Sequence, residues 1–435
     1  MTDPQVGLLA IAALFVLIAA RVPLAVALTG VPFVGIWYLI SWKAAIGSLK
    51  IIPYNFAANW QLSSVPMFLL MGYLAYHTGI TRGLFKAARM WLSRLPGGLA
   101  IASILGASGF SAVTGSSVAC AAAMGKIAVP EMLRSNYSPS LATGTVAAAG
   151  TIGALIPPSI LFIIFGIIAQ VPVGELFIGG AVAGALTALS YIVVVVLWAK
   201  LDPAAAPAVR ERFTLREMLA SLLEVGPVLL LAGLVFGGLF AGLFTPTEAG
   251  AVGAALCALI ALFQRLLSWE NFRKSVVEAF ATSTAIFAIA IGANLLARFV
   301  AISGADSYIT EALSVVATNT FWLMVMIVCL YLVLGMFLDP LGAMLLTLPI
   351  LLPVVQEQNL NLLWFGVILG KLLEVGMITP PVGLNVFVLK SVVGDSIPIA
   401  SIFRGVVYFL MADVVIVGIL IAFPQIILYL PSLMN

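Results

Sequence analysis

Two proline pairs set the terms for what this chain can become. Pro157-Pro158 and Pro380-Pro381 each interrupt an apolar stretch that otherwise reads as a helix long enough to cross a membrane. Proline lacks a backbone N–H and clashes with the carbonyl four residues back, so each pair breaks its helix and frees carbonyl oxygens. At membrane depth, irregular backbone persists only where protein buries it or where it lines a cavity that holds an ion or solute. The segment around the first pair makes the same point. Gly106–Ser117 reads Gly-Ala-Ser-Gly-Phe-Ser-Ala-Val-Thr-Gly-Ser-Ser, an alanine-rich run leads to Pro130, and Gly150-Thr-Ile-Gly-Ala-Leu-Ile-Pro-Pro-Ser159 follows. It is too rich in Gly, Ser and Thr for a lipid-facing span and too apolar for a soluble loop. The pattern points to transport.

Composition narrows the class. The 435 residues are 63% hydrophobic and 9% charged, where a soluble domain carries about 25% charged residues. That leaves an all-α polytopic membrane protein set in lipid; no ten-residue alternation suggests a transmembrane barrel. A net charge of +3 offers nothing to nucleic acid. Cys120, Cys257 and Cys329 lie far apart in apolar runs and read as small core residues, not as a disulfide set or metal site. The single His77 reads as packed or interfacial. Met1–Gln5 lacks the basic start of a cleavable signal, so 7–20 is expected to be a retained first span.

Crossings need about 20 apolar residues. They are expected near 5–20, 24–41, 64–80, 139–170 (broken), 176–199, 224–243, 247–263, 282–300, 361–392 (broken) and 404–430. The stretches 97–133 and 321–355 are interrupted midway and fit re-entrant helical hairpins. The polar segment 200–217 marks a linker.

The halves look related. A shift from Pro23 to Pro246 also carries Gly30 to Gly253, Pro130 to Pro353, Gly153 to Gly376 and Pro157-Pro158 to Pro380-Pro381. Three residues further on, Pro172 matches Pro398, Phe177 matches Phe403 and Gly179 matches Gly405. Weak internal symmetry of this kind is a mark of transporter folds. Lys and Arg favour the cytoplasmic side. Arg82, Lys86, Arg89 and Arg94 put 82–94 inside, whereas the matching 303–320 has no Lys or Arg and carries Asp306 and Glu311. Among the loops, Arg21, Arg134, Lys200, Arg210, Arg212, Arg216, Arg265, Arg273 and Lys274 also fall inside, and the pair Lys43 and Lys50 is the exception. The repeats therefore face opposite ways and both termini face outward. The expected organisation is repeat 1 over 1–200 (scaffold spans 1–80, hairpin 97–133, broken helix 139–170, span 176–199), a cytoplasmic linker over 201–220, and repeat 2 over 221–435 (scaffold spans 221–300, hairpin 321–355, broken helix 361–392, span 404–430).

Each half thus holds a hairpin tip, Ser111–Ser117 or Gly335–Gly342, and a Pro-Pro break. Bare carbonyls at broken helix ends suit a hard cation such as Na⁺. The hydroxyls of Thr114, Ser116 and Thr151 complete one oxygen cage; the Asp339 carboxylate and Thr379 hydroxyl complete the other. The N-terminal ends of the resumed half-helices suit an anionic solute. Plain alternatives stand beside each reading. Small residues line tight helix contacts, and Ser or Thr often bond back to their own helix. Glu374 either has a task in the membrane or pairs with Lys371 one turn away. Asp339 either binds an ion or merely caps the second arm. Glu248 fits the first turn of a helix begun at Pro246, and Arg298 snorkels at a span end. No phosphate-binding Gly-x-x-x-x-Gly-Lys-[Ser/Thr] loop is present, so a gradient is the expected energy source.

Several segments resemble the large membrane subunit of TRAP transporters, the tripartite ATP-independent periplasmic family. They are Gly115-Ser-Ser-Val-Ala, Gly125 with Val129-Pro-Glu-Met132, Gly150-Thr-Ile-Gly with Pro157-Pro-Ser-Ile160, Thr245-Pro-Thr-Glu-Ala-Gly250 and Thr379-Pro-Pro-Val-Gly-Leu-Asn385. The resemblance spans nearly the whole chain. It implies an inner-membrane secondary transporter of elevator type that takes up an organic acid, such as sialic acid or a C4-dicarboxylate, with Na⁺ as coupling ion and no other cofactor. It implies two partners, a small four-helix membrane subunit and a soluble periplasmic binding protein. The small subunit is expected as a separate polypeptide. On that match, sodium falls to Thr114, Ser116, Gly150, Thr151 and Gly153 in repeat 1, and to Gly335, Asp339, Gly376 and Thr379 in repeat 2. Solute falls to Ser117, Pro158, Ser159, Pro381 and Asn385. A one-component Na⁺- or H⁺-coupled carboxylate symporter of similar fold is the rival reading. An intramembrane enzyme is disfavoured, since one His and no cluster of His, Glu and Asp leave no nucleophile–base pair. A purely scaffolding subunit would gain nothing from the broken helices.

Overall fold

Helices in this chain begin and end where proline, glycine and hydroxyl side chains dictate. In the computed structural model they are α1 (Asp3–Ala19), α2 (Leu24–Leu39), α3 (Trp42–Ala57), α4 (Ser64–Thr78), α5 (Arg82–Leu92), α6 (Gly98–Thr114), α7 (Ser117–Arg134), α8 (Pro139–Gly150), α9 (Ile160–Ala169) and α10 (Val173–Leu201). The second half adds α11 (Leu215–Phe240), α12 (Pro246–Phe263), α13 (Trp269–Ser303), α14 (Ala305–Val316), α15 (Thr320–Phe337), α16 (Pro340–Glu357), α17 (Leu362–Gly376), α18 (Leu384–Val393), α19 (Ile399–Ala422) and α20 (Gln425–Ser432). The structure describes residues 2–93, 95–207, 213–316 and 320–433, and their side chains except at 82, 310 and 312–316. Arg94, Arg210 and Arg212, used above for orientation, lie outside the described residues, and so does the side chain of Arg82. No strand occurs among the described residues.

Seven of these helices, α10 to α13, α15, α16 and α19, are long and apolar enough to cross a membrane. The 35-residue α13, at 1.5 Å per residue about 52 Å long, exceeds the hydrocarbon thickness of about 30 Å. Three stretches outside the expected spans are helical as well. Over 43–60 the chain forms α3, capped where the Ala44 N–H donates to the Ser41 hydroxyl at 3.2 Å. The basic segment 82–94 holds α5, and 303–320 holds α14. The apolar run 404–430 is not one span: α19 stops at Ala422, where Pro424 removes a donor, and α20 resumes at Gln425. Glu248 has its structural role. Its carboxylate accepts from the Thr245 N–H at 2.8 Å while its own N–H donates to the Thr245 hydroxyl, a reciprocal cap at the start of α12.

Helix starts recur at a fixed spacing. α5, α7 and α8 begin at 82, 117 and 139; α14, α16 and α17 begin 223 residues later, at 305, 340 and 362. α6 and α7 form a hairpin about a two-residue turn, with α8 against both. The second pair behaves differently. α15 lies mainly along α17, and a hydrogen bond of 2.6 Å between the Tyr331 and Thr347 hydroxyls ties it to α16. The close partner is explained by glycine: a Cβ on Gly335 would stand 2.9 Å from the Gly376 Cα, so only glycines allow the two backbones to touch there.

Around this interior, α4 packs against α12 and α13, and α13 packs against α2. The amphipathic α5 packs on α6 and α11 and reaches α7 through an ion pair. Lys86 pairs with Glu224 at 2.5 Å, the Trp91 Nε1–H donates to the Met218 carbonyl at 3.2 Å, and Arg89 pairs with Glu131. His77 is interfacial as read, its ring on α4 lying 3.1 Å from Glu278 of α13. Cys120 and Cys257 are buried core residues. Cys329 departs from that reading and is exposed, on a helix with little of its surface covered.

Candidate functional site

The first tip is built by three consecutive residues. Gly115 takes φ +60° and stops α6; Ser116 is extended and caps α7, its hydroxyl accepting from the Ala119 N–H at 3.4 Å. Thr114 bonds back to the Phe110 carbonyl at 3.1 Å. At the second tip Asp339 caps α16, accepting from the Gly342 N–H at 3.0 Å, with Pro340 at the first helical position. The capping role of Asp339 is therefore real, and it occupies one carboxylate oxygen.

Both helices break at their proline pairs, and both Pro–Pro bonds are cis. α8 ends at Gly150 and passes through one 3-10 turn, Thr151–Ala154; Ser159 then caps α9, accepting from the Phe162 N–H at 3.4 Å. Pro157, Pro158 and Ser159 are buried. α17 ends at Gly376, and Pro380 and Pro381 are exposed. Part of the freed backbone finds partners. The Gly376 carbonyl accepts from the Thr379 N–H at 3.1 Å, and the Met377 carbonyl accepts from the Asn385 N–H at 3.0 Å. The Thr379 hydroxyl bonds back to the Val375 carbonyl at 2.7 Å.

Tips and breaks touch. A Cβ on Gly153 would lie 2.8 Å from the Ser117 Cα, so the first break rests on the first tip. α18, beyond the second break, packs on α7 and α8. That brings Asn385 beside Gly150, where a Cβ would lie 3.2 Å from the Asn385 Nδ2. The Asn385 side chain is fully buried, and neither of its amide atoms has a hydrogen-bond partner.

A cavity of about 210 Å³ opens where the two tips face α4 and α13. Thr114, Ser116, Ser117 and Asp339 line it, joined by Glu374 on α17, Tyr73 and Tyr76 on α4, and Thr282 on α13. The Tyr73 and Thr282 hydroxyls are 2.8 Å apart. Among the described residues that line it there is no Lys, Arg or His. The positive ends that meet it are backbone: the first turns of α7 (Ser117 to Ala119), α9 (Ile160, Leu161) and α16 (Pro340, Leu341) all face it. Gly150, Thr151, Gly153, Gly335, Gly376, Thr379, Pro158, Ser159, Pro381 and Asn385 are not in its wall. The expected site residues therefore divide between a shared cavity, the packed ground behind it and, at Pro381, exposed surface.

The plain alternative for Glu374, a pair with Lys371, is not formed. The Lys371 Nζ donates to Asp413 Oδ1 at 2.5 Å, the Tyr191 hydroxyl donates to Asp413 Oδ2 at 2.8 Å, and the Thr151 hydroxyl lies 3.2 Å from that of Tyr191. Lys371, Asp413, Tyr191 and Thr151 are all fully buried. Thr151 also donates to the Ala148 carbonyl at 2.7 Å, so its hydroxyl serves this chain of contacts and not the cavity. Asp413 escaped the sequence reading, although an acid within an apolar run was its signal. Tyr73, Tyr76 and Thr282 escaped it because nothing in spacing distinguishes a cavity-facing aromatic from a packed one. Among the described residues, no three His, Cys, Asp or Glu side chains cluster to hold a metal ion.

Residues 11–426 match the family described as the tripartite ATP-independent periplasmic transporter, DctM component. The chain is 34% identical over 389 residues to the C4-dicarboxylate TRAP transporter large permease protein DctM of Pseudomonas aeruginosa, covering 89% of this chain and 90% of that one. It is 31% identical to the sialic acid TRAP transporter large permease protein SiaM of Vibrio cholerae, over 87% of this chain and 90% of that one. It is 33% identical to the isethionate TRAP transporter permease protein DctMQ of Oleidesulfovibrio alaskensis, covering 91% of this chain but 61% of that longer one. Among solved structures the fold is similar to the YdaH transporter of Alcanivorax borkumensis, with a TM-score of 0.61 at 14% identity, covering 89% of this chain and 90% of that one.

Proposed function

Because the chain belongs to the DctM-component family of tripartite ATP-independent periplasmic transporters, we propose that it is the large permease of a secondary transporter that imports an organic acid together with sodium. One observation carries this reading: two carboxylates, several hydroxyls and three helix N-termini share a single cavity between the hairpin tips. Helix N-termini with bare N–H groups receive an anion. Carboxylate, hydroxyl and carbonyl oxygens receive a hard cation. Asn385, buried and unpartnered beside Gly150, suits a second oxygen-rich position at the breaks. The relatives are named for a C4-dicarboxylate, sialic acid and isethionate, all organic anions.

In this reading the sodium positions are Thr114, Ser116, Gly150, Thr151 and Gly153 in the first repeat and Gly335, Asp339, Gly376 and Thr379 in the second. Solute meets Ser117, Pro158, Ser159, Pro381 and Asn385. The recurrence of helix starts at 223 residues supports two repeats, and the Lys and Arg bias of the loops supports their inversion about a cytoplasmic linker, with both termini periplasmic and the protein in the inner membrane. Tips and breaks form one moving body that carries its cargo past a scaffold of α2, α4, α12 and α13. A second cavity, of about 280 Å³, lies further along the seam of α9, α13 and α16 and supports such a path. The small four-helix subunit braces the scaffold, and the periplasmic binding protein delivers the solute.

The test is uptake into proteoliposomes holding this chain and the small subunit, with a solute-loaded binding protein outside and an inward gradient of sodium or potassium. Uptake that needs the binding protein and sodium is expected. Uptake without the binding protein would establish a one-component symporter instead. Uptake indifferent to sodium would overturn the coupling.

A further inference from the structure

We infer that Glu374 is a sodium ligand of the cavity, contributing a carboxylate from the α17 side to a cation otherwise assigned to the tips and breaks. The inference rests on the transport reading above and names a residue of that site. Glu374 lies in the last turn of α17, is fully buried, and lines the cavity. Neither of its carboxylate oxygens has a hydrogen-bond partner. The Ser117 hydroxyl on the opposing tip stands near enough to act on it, though without the geometry of a formed bond. A buried acid in a membrane protein usually has a partner or a task, because an unpaired charge away from water is costly.

No protein cation fills the role. Lys371, one turn earlier, is held by Asp413, whose other oxygen accepts from Tyr191. α7 presents Ser117 and the buried thiol Cys120, and α16 presents a second carboxylate, Asp339. α15 presents Tyr331, whose hydroxyl is taken by Thr347, and the cavity-facing part of α9 carries no titratable group. The oxygens left over are those a hard monovalent cation prefers: the Glu374 carboxylate and the Ser117 hydroxyl. The charge balance explains what this position would do. Three helix N-termini of about half a charge each supply roughly +1.5, which the two carboxylates outweigh. A sodium ion on Glu374 leaves the helix ends in excess, and the cavity then accepts an anion. Cation and solute bind as a pair because neither alone balances the pocket.

Thermal unfolding of the purified full chain in detergent tests this without any solute, with sodium titrated against potassium at constant ionic strength. A ligand of the folded state raises the midpoint in proportion to ln(1 + [L]/Kd). Sodium is expected to raise the wild-type midpoint and potassium is not. Glu374→Gln should need at least tenfold more sodium for the same rise, and Glu374→Asp should fall between. A Glu374→Gln titration that overlays the wild type would overturn the assignment. So would a wild type stabilised by acid alone and not by sodium. If Glu374→Gln does not fold, Ser117→Ala decides: a weakened sodium response supports the site and an unchanged one removes it. The assay contains no solute and no binding protein, so an uptake failure and a failure of this assignment are separate results.

Discussion

The Lys371 ammonium and the Asp413 carboxylate meet at 2.5 Å with both side chains fully buried. They join α17 to α19, and through Tyr191 and Thr151 the connection reaches the first break. Breaking a buried pair by removing one partner strands a charge and costs about 3–5 kcal/mol. Asp413→Ala should lower the unfolding midpoint sharply in detergent, whereas the double change Lys371→Met, Asp413→Leu should recover most of the loss. A double variant as unstable as the single one would contradict this.

Tyr191→Phe isolates the hydroxyl. The ring keeps its edge-on packing with Phe409 at 5.2 Å between centroids, while the bonds to Asp413 and Thr151 disappear. One such bond contributes about 1 kcal/mol net, and more when the acceptor is charged. The expected outcome is a folded protein, destabilised by about 1–3 kcal/mol. Chemical denaturation measured against the wild type checks it.

Asp339 has two roles that substitution can part. Asparagine caps a helix about as well as aspartate, while alanine loses about 1 kcal/mol. Asp339→Asn should therefore keep wild-type stability yet lose at least tenfold in sodium-driven uptake. Asp339→Ala should lose both. Wild-type uptake by Asp339→Asn would leave Asp339 as a cap alone.

Gly153→Ala would set a methyl group 2.8 Å from the Ser117 Cα, where backbone must give way. Overpacking of this kind costs about 1–3 kcal/mol. Because the displaced residue belongs to the first tip, uptake should fall more than stability does. Parallel measurements of initial uptake rate and unfolding midpoint will show whether the two losses separate.

The sequence made the helical class, both tips and both breaks legible, because Gly115, Asp339 and the proline pairs act locally and leave a signature in the chain itself. Side-chain partnerships across the fold were not legible. Lys371 and Glu374 are neighbours on one helical face, which made their pairing reasonable, yet Asp413, 42 residues away, takes the lysine. Spacing likewise gives no sign that Tyr191, 40 residues on, lies opposite the Thr151 hydroxyl. α3 and α5 were hidden for another reason: their charges and the internal Pro53 of α3 give them the composition of connections, and packing decides their form.

The contact of Gly335 with Gly376 bears on how the second hairpin can yield. With no side chain between the two main chains, nothing compliant separates α15 from the ground behind it, and that limb is in effect riveted in place. α16 is held differently, packing on α13, α17 and α14 and joined to α15 through Tyr331 and Thr347. Any movement that parted α15 from α17 would have to open this main-chain contact first.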